Sequence, residues 1–155
     1  MKVVVAAVGR GMPDWVSAGY HEYARRLAGG CRLELRELKA PQRRGGDVEK
    51  IRGREADLLL EAVADTPLRI ALDEGGRPWT TRQLAGQLGQ WLEDGTDVGL
   101  MVGGADGLAP RVREQAHRVW SLSPLTLPHM LVRVVVAEQI YRAWSIISGH
   151  PYHRD

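Results

Sequence analysis

The chain predicts an α/β domain built on a largely parallel sheet, and three observations carry that expectation. Short apolar runs of strand length alternate with longer stretches of helical periodicity. Glycines gather directly after the predicted strands: Gly9 and Gly11, then Gly75 and Gly76, then Gly103, Gly104 and Gly107. The 155 residues, 44% hydrophobic and 26% charged, suit one globular domain spanning 1–155.

Val3–Val8 is a continuous apolar run of buried-strand length. Pro13 and Asp14 open a helix in which Val16, Tyr20, Tyr23 and Leu27 recur at near-helical spacing. Cys31, Leu33 and Leu35 alternate with Arg32, Glu34 and Arg36, a period-two strand with one wet face. PQRRGG is a loop, and Val48, Ile51, Leu58, Leu59 and Ala62 mark a helix from Asp47 to about Ala64. Leu68–Leu72 reads as a short buried strand closed by DEGGRPW. Thr80 or Thr81 caps a helix carrying Leu84, Leu88, Trp91 and Leu92. Asp97–Val102 is a fourth strand, Pro110–Arg118 a short helix, and Val119–Leu122 a fifth strand. Pro128 precedes a last helix reaching about Ser148.

The first half of that helix is apolar nearly all round, through Leu131, Val132, Val134, Val135, Val136 and Ala137. Two arrangements bury such a surface: a second subunit or a central place in the core. Arg133, Glu138 and Arg142 interrupt it, and Glu138 and Arg142 have the spacing of a helix ion pair.

Composition excludes several classes. No apolar window is long enough to span a membrane, and the run after Met1 is too short for a signal peptide. Cys31 stands alone, so neither a disulfide framework nor a cysteine zinc site is expected, and a cytoplasmic location follows. His150 and His153 have no acidic partner at ligand spacing, so no metal is expected. The net charge of +2 does not announce a nucleic-acid binder. Arg43, Arg44, Lys50, Arg52 and Arg54 do cluster, and they fit a phosphate track. They fit a solvated helix face interleaved with Glu49, Glu55 and Asp57 equally well.

In open α/β sheets ligands bind beyond the carboxyl ends of the strands, where these glycines sit. The first turn, VGRGMPD, holds G-x-G but lacks the third glycine of a dinucleotide fingerprint, and no Walker A run occurs. A nucleotide-binding oxidoreductase or NTPase is therefore disfavoured. No G-x-S-x-G is present, so Ser121 and Ser123 near His129 read as backbone-bonded loop hydroxyls. His21 and His117 fall on solvated faces. His129, at the first turn of the last helix, fits a cap-region residue and a site residue equally.

LDEGGRPW, GLMVGGADGL, WSLSPLTLPHMLVRVVVAEQIYRAWSI and the terminal HPYHR together resemble the SPOUT methyltransferases. The opening VAAVGRGMPDWVSAGYHEYARRL resembles the same family, so the likeness covers essentially the whole chain. Among SPOUT enzymes the chain is similar to the small ones that modify large-subunit ribosomal RNA. That resemblance implies an α/β fold, a mostly parallel sheet flanked by helices, whose C-terminal segment threads a loop to form a deep trefoil knot. It implies S-adenosylmethionine as cofactor and a homodimer formed through the C-terminal helix region. The implied reaction is methylation of N3 of a pseudouridine in 23S rRNA within the assembled 70S ribosome. The family's cofactor loops carry over to Leu72, to Gly103 and Gly104, and to Leu122, Ser123, Pro124, Leu125, Thr126 and Leu127. Its tail residues are present as Tyr152, His153 and Arg154.

Methyl transfer to N3 needs a group that removes the N3 proton within hydrogen-bond reach. His153, Glu138 and His129 are the candidates, in that order. Arg154 suits a phosphate or the anionic base, and Tyr152 suits stacking on a nucleobase. Arg43 and Arg44 are the candidate contacts to RNA phosphates. A non-catalytic RNA- or ribosome-binding factor on the same fold is the rival reading, opposed by the intact glycine turns and tail.

Overall fold

The computed structural model describes residues 1–43 and 46–155. Arg44, one of the candidate RNA contacts, lies outside the described residues. Among the described residues five parallel strands alternate with five helices: β1 (Lys2–Val8), α1 (Asp14–Ala24), β2 (Arg32–Leu38), α2 (Val48–Ala62), β3 (Leu68–Pro78), α3 (Thr81–Asp94), β4 (Val98–Val102), α4 (Pro110–Gln115), β5 (Arg118–Ser121) and α5 (His129–Ser148). They form one sheet in the order β2-β1-β4-β3-β5. β1 is interior, and its residues Val3 to Val8 are all buried, which is why that stretch is apolar without alternation.

Successive strand residues face opposite layers. Val3, Val5 and Ala7 pack with Leu84, Leu88 and Trp91 of α3 and with Val136, Ile140 and Ala143 of α5. Ala6, Val8, Ala71 and Met101 pack with Ala56 and Leu59 of α2 and Val112 of α4. α5 also packs along α1. Its apolar girth thus covers the sheet on one side and α1 on another, although Ile147 near its end remains exposed.

Local chemistry accounts for the element ends. Thr80 accepts from Gln83 N, and the Gln83 side chain accepts from Thr80 N, a complete capping box that starts α3. Asp47 caps α2 by accepting from Glu49 N and Lys50 N. Gly95 and Gly149 close α3 and α5 in the left-handed conformation.

Four expectations need correction. α1 stops at Ala24, so Leu27 lies beyond the helix, although it still packs on the core. β5 begins one residue early and α4 is shorter than the sequence pattern suggests. The larger difference is β3, which continues to Pro78 where the DEGG signal predicts a turn. Its pairing with β5 shifts register between Leu72 and Arg77 and then resumes at Arg77↔Trp120. Asp73 accepts a hydrogen bond from Gly75 N at 2.8 Å, which folds the irregularity on itself. Gly76 lies so close to β5 that a Cβ there would sit 2.7 Å from the Val119 carbonyl. The glycines serve a bulge, not a strand end. No helix among the described residues is long and apolar enough to cross a membrane.

Candidate active site

A cleft opens where β4 and β5 end beside the bulge of β3. Leu72 of β3 is the register partner of Val102 in β4 and of Trp120 in β5. The β3 bulge and the loops that follow β4 and β5 therefore converge at one edge of the sheet and enclose a cavity of about 380 Å³. That is the size of a small-cofactor site.

Each wall has a local cause. After β4 the chain turns through Gly103–Gly107, closed by a hydrogen bond from Gly107 N to Gly104 O at 3.1 Å. A Cβ on Gly103 would come within 2.9 Å of the Gly107 carbonyl, so only glycine permits this turn. After β5, Ser121 Oγ donates to Ser123 O at 3.0 Å, and Ser123 Oγ accepts from Leu125 N at 3.0 Å. These hydroxyls fold the loop, as expected from the absence of a nucleophile elbow. Thr126 Oγ1 donates to Glu74 at 3.0 Å, tying that loop to the β3 bulge. Arg113 of α4 pairs with Asp73 at 3.1 Å from the other side.

Of the residues expected to hold a cofactor, Leu72, Gly103, Gly104, Leu122, Ser123, Leu125, Thr126 and Leu127 all line the cavity. Pro124 belongs to the same loop but is exposed and does not line it. His129, whose sequence reading was open, does line it, together with Val132 one turn further along α5. Asp73, Glu74, Asp106 and Leu108 complete the wall, and sequence reasoning did not find them. The position of Asp73 and Glu74 directly after a buried strand was the available signal.

The tail residues gather elsewhere. Glu138 lies nine residues after His129 on α5, about 13 Å along the axis by helical rise. Its Oε1 accepts from Arg142 Nε at 2.8 Å and from the Tyr152 hydroxyl at 3.0 Å, and its Oε2 accepts from Gln139 at 2.7 Å. Burial, Tyr23 and the Glu138 carboxylate push the Tyr152 phenol well above its ordinary range, so it stays a donor. Its ring packs 4.7 Å from that of Tyr141 and under the Arg142 guanidinium at 4.8 Å.

His153 places Nδ1 3.2 Å from Arg142 Nη1 and Nε2 2.9 Å from Asp155. A guanidinium only donates, so Nδ1 accepts and the ring proton of a neutral imidazole sits on Nε2, donating to Asp155. Asp155 also pairs with Arg82 of α3, and this guanidinium, with His153, holds the Asp155 carboxyl down at about 2. A network from α3 to α5 thus pins the chain terminus. Arg154 is exposed.

Arg43 reaches the cleft, but to the protein itself: its Nη2 lies 2.6 Å from Asp106 in the glycine turn. Glu55, which one of the two readings of this helix put on a solvated face, is 3% exposed and accepts from Gly104 N at 3.2 Å. Its spacing from Ile51 and Leu59 was the signal that places it inward. Among the described residues no three His, Cys, Asp or Glu side chains gather to hold a metal ion.

Comparison with known proteins agrees with this geometry. Residues 1–153 match the family described as "Predicted SPOUT methyltransferase". The chain is 48% identical to ribosomal RNA large subunit methyltransferase H of Methylococcus capsulatus, over 99% of this chain and 100% of that protein. It is 49% identical to the protein of the same name from Thioalkalivibrio sulfidiphilus, over 100% of both. In fold it is similar to a probable methylase family protein from Haemophilus influenzae, with a TM-score of 0.61 at 13% identity over 99% of this chain and 70% of that one. A probable methyltransferase from Bordetella pertussis gives a TM-score of 0.56 at 19% identity, over 92% of this chain and 95% of that one. With the family match spanning nearly every residue and relatives near half identity along the full length, the chain belongs to the SPOUT methyltransferase family.

Proposed function

We propose that this protein methylates N3 of a pseudouridine in 23S rRNA of the assembled ribosome, with S-adenosylmethionine held in the cleft. The observation that carries the reading is the convergence of the β3 bulge and the loops after β4 and β5 around one cavity. The curated relatives of the same length, named ribosomal RNA large subunit methyltransferase H, support the choice of RNA. The residues present fit the cofactor. Leu72, Leu122, Leu127 and Val132 offer apolar walls, the glycine turn offers backbone at close range, and Asp73 and Asp106 suit a cationic ligand.

When bound, S-adenosylmethionine supplies a methyl group on a cationic sulfonium; the N3–CH3 bond forms as the S–CH3 bond breaks, and the N3 proton leaves. The protein's part is to position the partners and take that proton. Glu138 is held by three donors, so it anchors the tail and is not a free acceptor. His153 Nδ1 takes the proton, exchanging Arg142 for the substrate N–H. Tyr152 fixes Glu138, and Arg154, exposed beside them, meets phosphate. In one subunit this group stands more than two helical turns from His129. The reading therefore has α5 pair across a homodimer, so that one subunit's tail completes its partner's cleft. The chain crosses from β5 at one sheet edge to α5 against α1, which supports a threaded, knotted C-terminal segment. Arg43 meets RNA phosphate at the cleft rim, and Arg44 is a further candidate phosphate contact.

The test is calorimetric titration with S-adenosylmethionine, NADH and ATP, followed by methyl transfer to 70S ribosomes lacking the mark and to naked 23S rRNA. Binding of S-adenosylmethionine alone and modification of ribosomes in preference to naked RNA are expected. Efficient methylation of a free stem-loop refutes the ribosome requirement, and binding of NADH or ATP in its place refutes the cofactor. Mixed dimers of a tail-deleted and a cofactor-dead subunit recover activity only if the site is shared.

A further inference from the structure

The inward stripe of α2 reads Ile51, Glu55, Ala56 and Leu59, and every one of these residues is buried. A carboxylate in such a stripe is a poor choice for stability, because its charged form loses hydration that packing does not restore. At Glu55 burial pushes the carboxyl up, Asp106 adds to this, and the Gly104 N–H and Arg43 oppose it. Among the described residues its hydrogen-bond partner is that Gly104 N–H, at 3.2 Å. The contact is close: a Cβ on Gly104 would lie 3.0 Å from Glu55 Oε2. From outside, Arg43 grips Asp106 of the same turn at 2.6 Å. The turn that forms one wall of the cleft is thus held from beneath by a buried acceptor and from above by an ion pair.

We propose that Glu55 is a positioning residue for methyl transfer: by accepting the Gly104 N–H it sets the backbone of the Gly103–Gly107 turn against the cofactor. This rests on the reading of the cleft as the S-adenosylmethionine site. Glu55 does not line the cavity, and it acts only through Gly104. The role belongs to its acceptor oxygen more than to its charge, so glutamine can perform it and methionine, of similar shape, cannot.

The experiment compares wild type, Glu55→Gln and Glu55→Met. Amide exchange of Gly104 is read by NMR in the ligand-free proteins, and S-adenosylmethionine affinity is read by calorimetry. Glu55→Met is expected to speed Gly104 exchange and weaken affinity by about tenfold each, whereas Glu55→Gln stays within about threefold of wild type in both. Wild-type values in Glu55→Met overturn the proposal, as does a Glu55→Gln as defective as Glu55→Met. Should Glu55→Met fail to fold, an unprotected Gly104 amide in the wild type overturns it equally. A wild type that binds no S-adenosylmethionine brings down the cofactor reading instead, and the exchange comparison then decides the tether alone.

Discussion

Replacing Arg133 by methionine tests the most consequential buried charge in the protein. Arg133 is 0% exposed at the second turn of α5. Its Nη2 donates to Gly9 O at 2.7 Å and to Val8 O at 3.2 Å, and its Nη1 donates to Glu37 at 3.2 Å. Among the described residues Nε finds no partner. Methionine fills most of the same space and makes none of these bonds. Two carbonyls at the end of β1 then lose a charged donor, each at a cost of about 1–3 kcal/mol. Glu37 loses its partner too, but its side chain is 29% exposed and can turn to water. Against these losses stands relief from burying a guanidinium that was never fully satisfied. Removing one member of a buried pair costs about 3–5 kcal/mol, and the partial access of Glu37 puts this case near 3 kcal/mol. In a chain of 155 residues that is a fall in Tm of about 6–12 °C. Urea melts of Arg133→Met and wild type at equal protein concentration give the difference, read from Cm with the slope unchanged. A loss below about 1 kcal/mol, or a gain, refutes the reasoning, because desolvation then outweighs the bonds to β1.

Other expectations follow from single sites. Gly76→Ala forces a Cβ against the Val119 carbonyl, which is backbone and cannot swing away, so it should cost about 3 kcal/mol in urea melts and weaken S-adenosylmethionine binding by displacing β5 and the loop after it. The Arg36 guanidinium, with Lys2, holds the Asp65 carboxyl down at about 2, below its ordinary 3.8. A depressed folded value stabilises above the unfolded one and is lost as pH falls, so the advantage of wild type over Asp65→Asn should be constant near neutrality and shrink from about pH 4 to pH 2. A constant difference across that range refutes the assignment. Burial pushes the Cys31 thiol up to about 11, so at pH 8 it should react with a thiol reagent only as fast as the protein opens, and rapid labelling of the folded protein contradicts its placement.

Much of the sheet was legible because parallel strands announce themselves by unbroken apolar runs, as Val3–Val8 does. Helix starts were legible where a cap carries them, as at Thr80. β3 was not legible beyond Leu72, because DEGG is the chemistry of a turn and of a bulge alike. Only the neighbouring β5 decides between them, through the close approach at Gly76. The cavity loops were found through glycine and through family likeness, whereas Asp106 carries no pattern of its own and Asp73 and Glu74 offer only their place after a buried apolar run. In the tail network the Glu138–Arg142 pair was legible from its helical spacing, whereas the links from Arg142 to His153 and from Arg82 to Asp155 join separate segments, and periodicity is blind to them.

The residues that most resist pattern reading share one location. Arg133 sits in an apolar helix and binds the carbonyls that end β1. Glu55 sits in an apolar stripe and binds the amide that follows β4. Asp73, next after the buried part of β3, binds Gly75 N and Arg113. In each case the sign suits the backbone group: a cation takes carbonyls and anions take N–H donors. Every one acts at the carboxyl edge of the sheet, where the chain leaves its ladder and backbone groups lose their regular partners. Hydrophobic residues at Arg133 and Glu55 would satisfy the helices better, yet they would leave those turns unheld. The local rule is broken where the loops of the cleft must keep one shape, which is where a fold gives up stability for a built site.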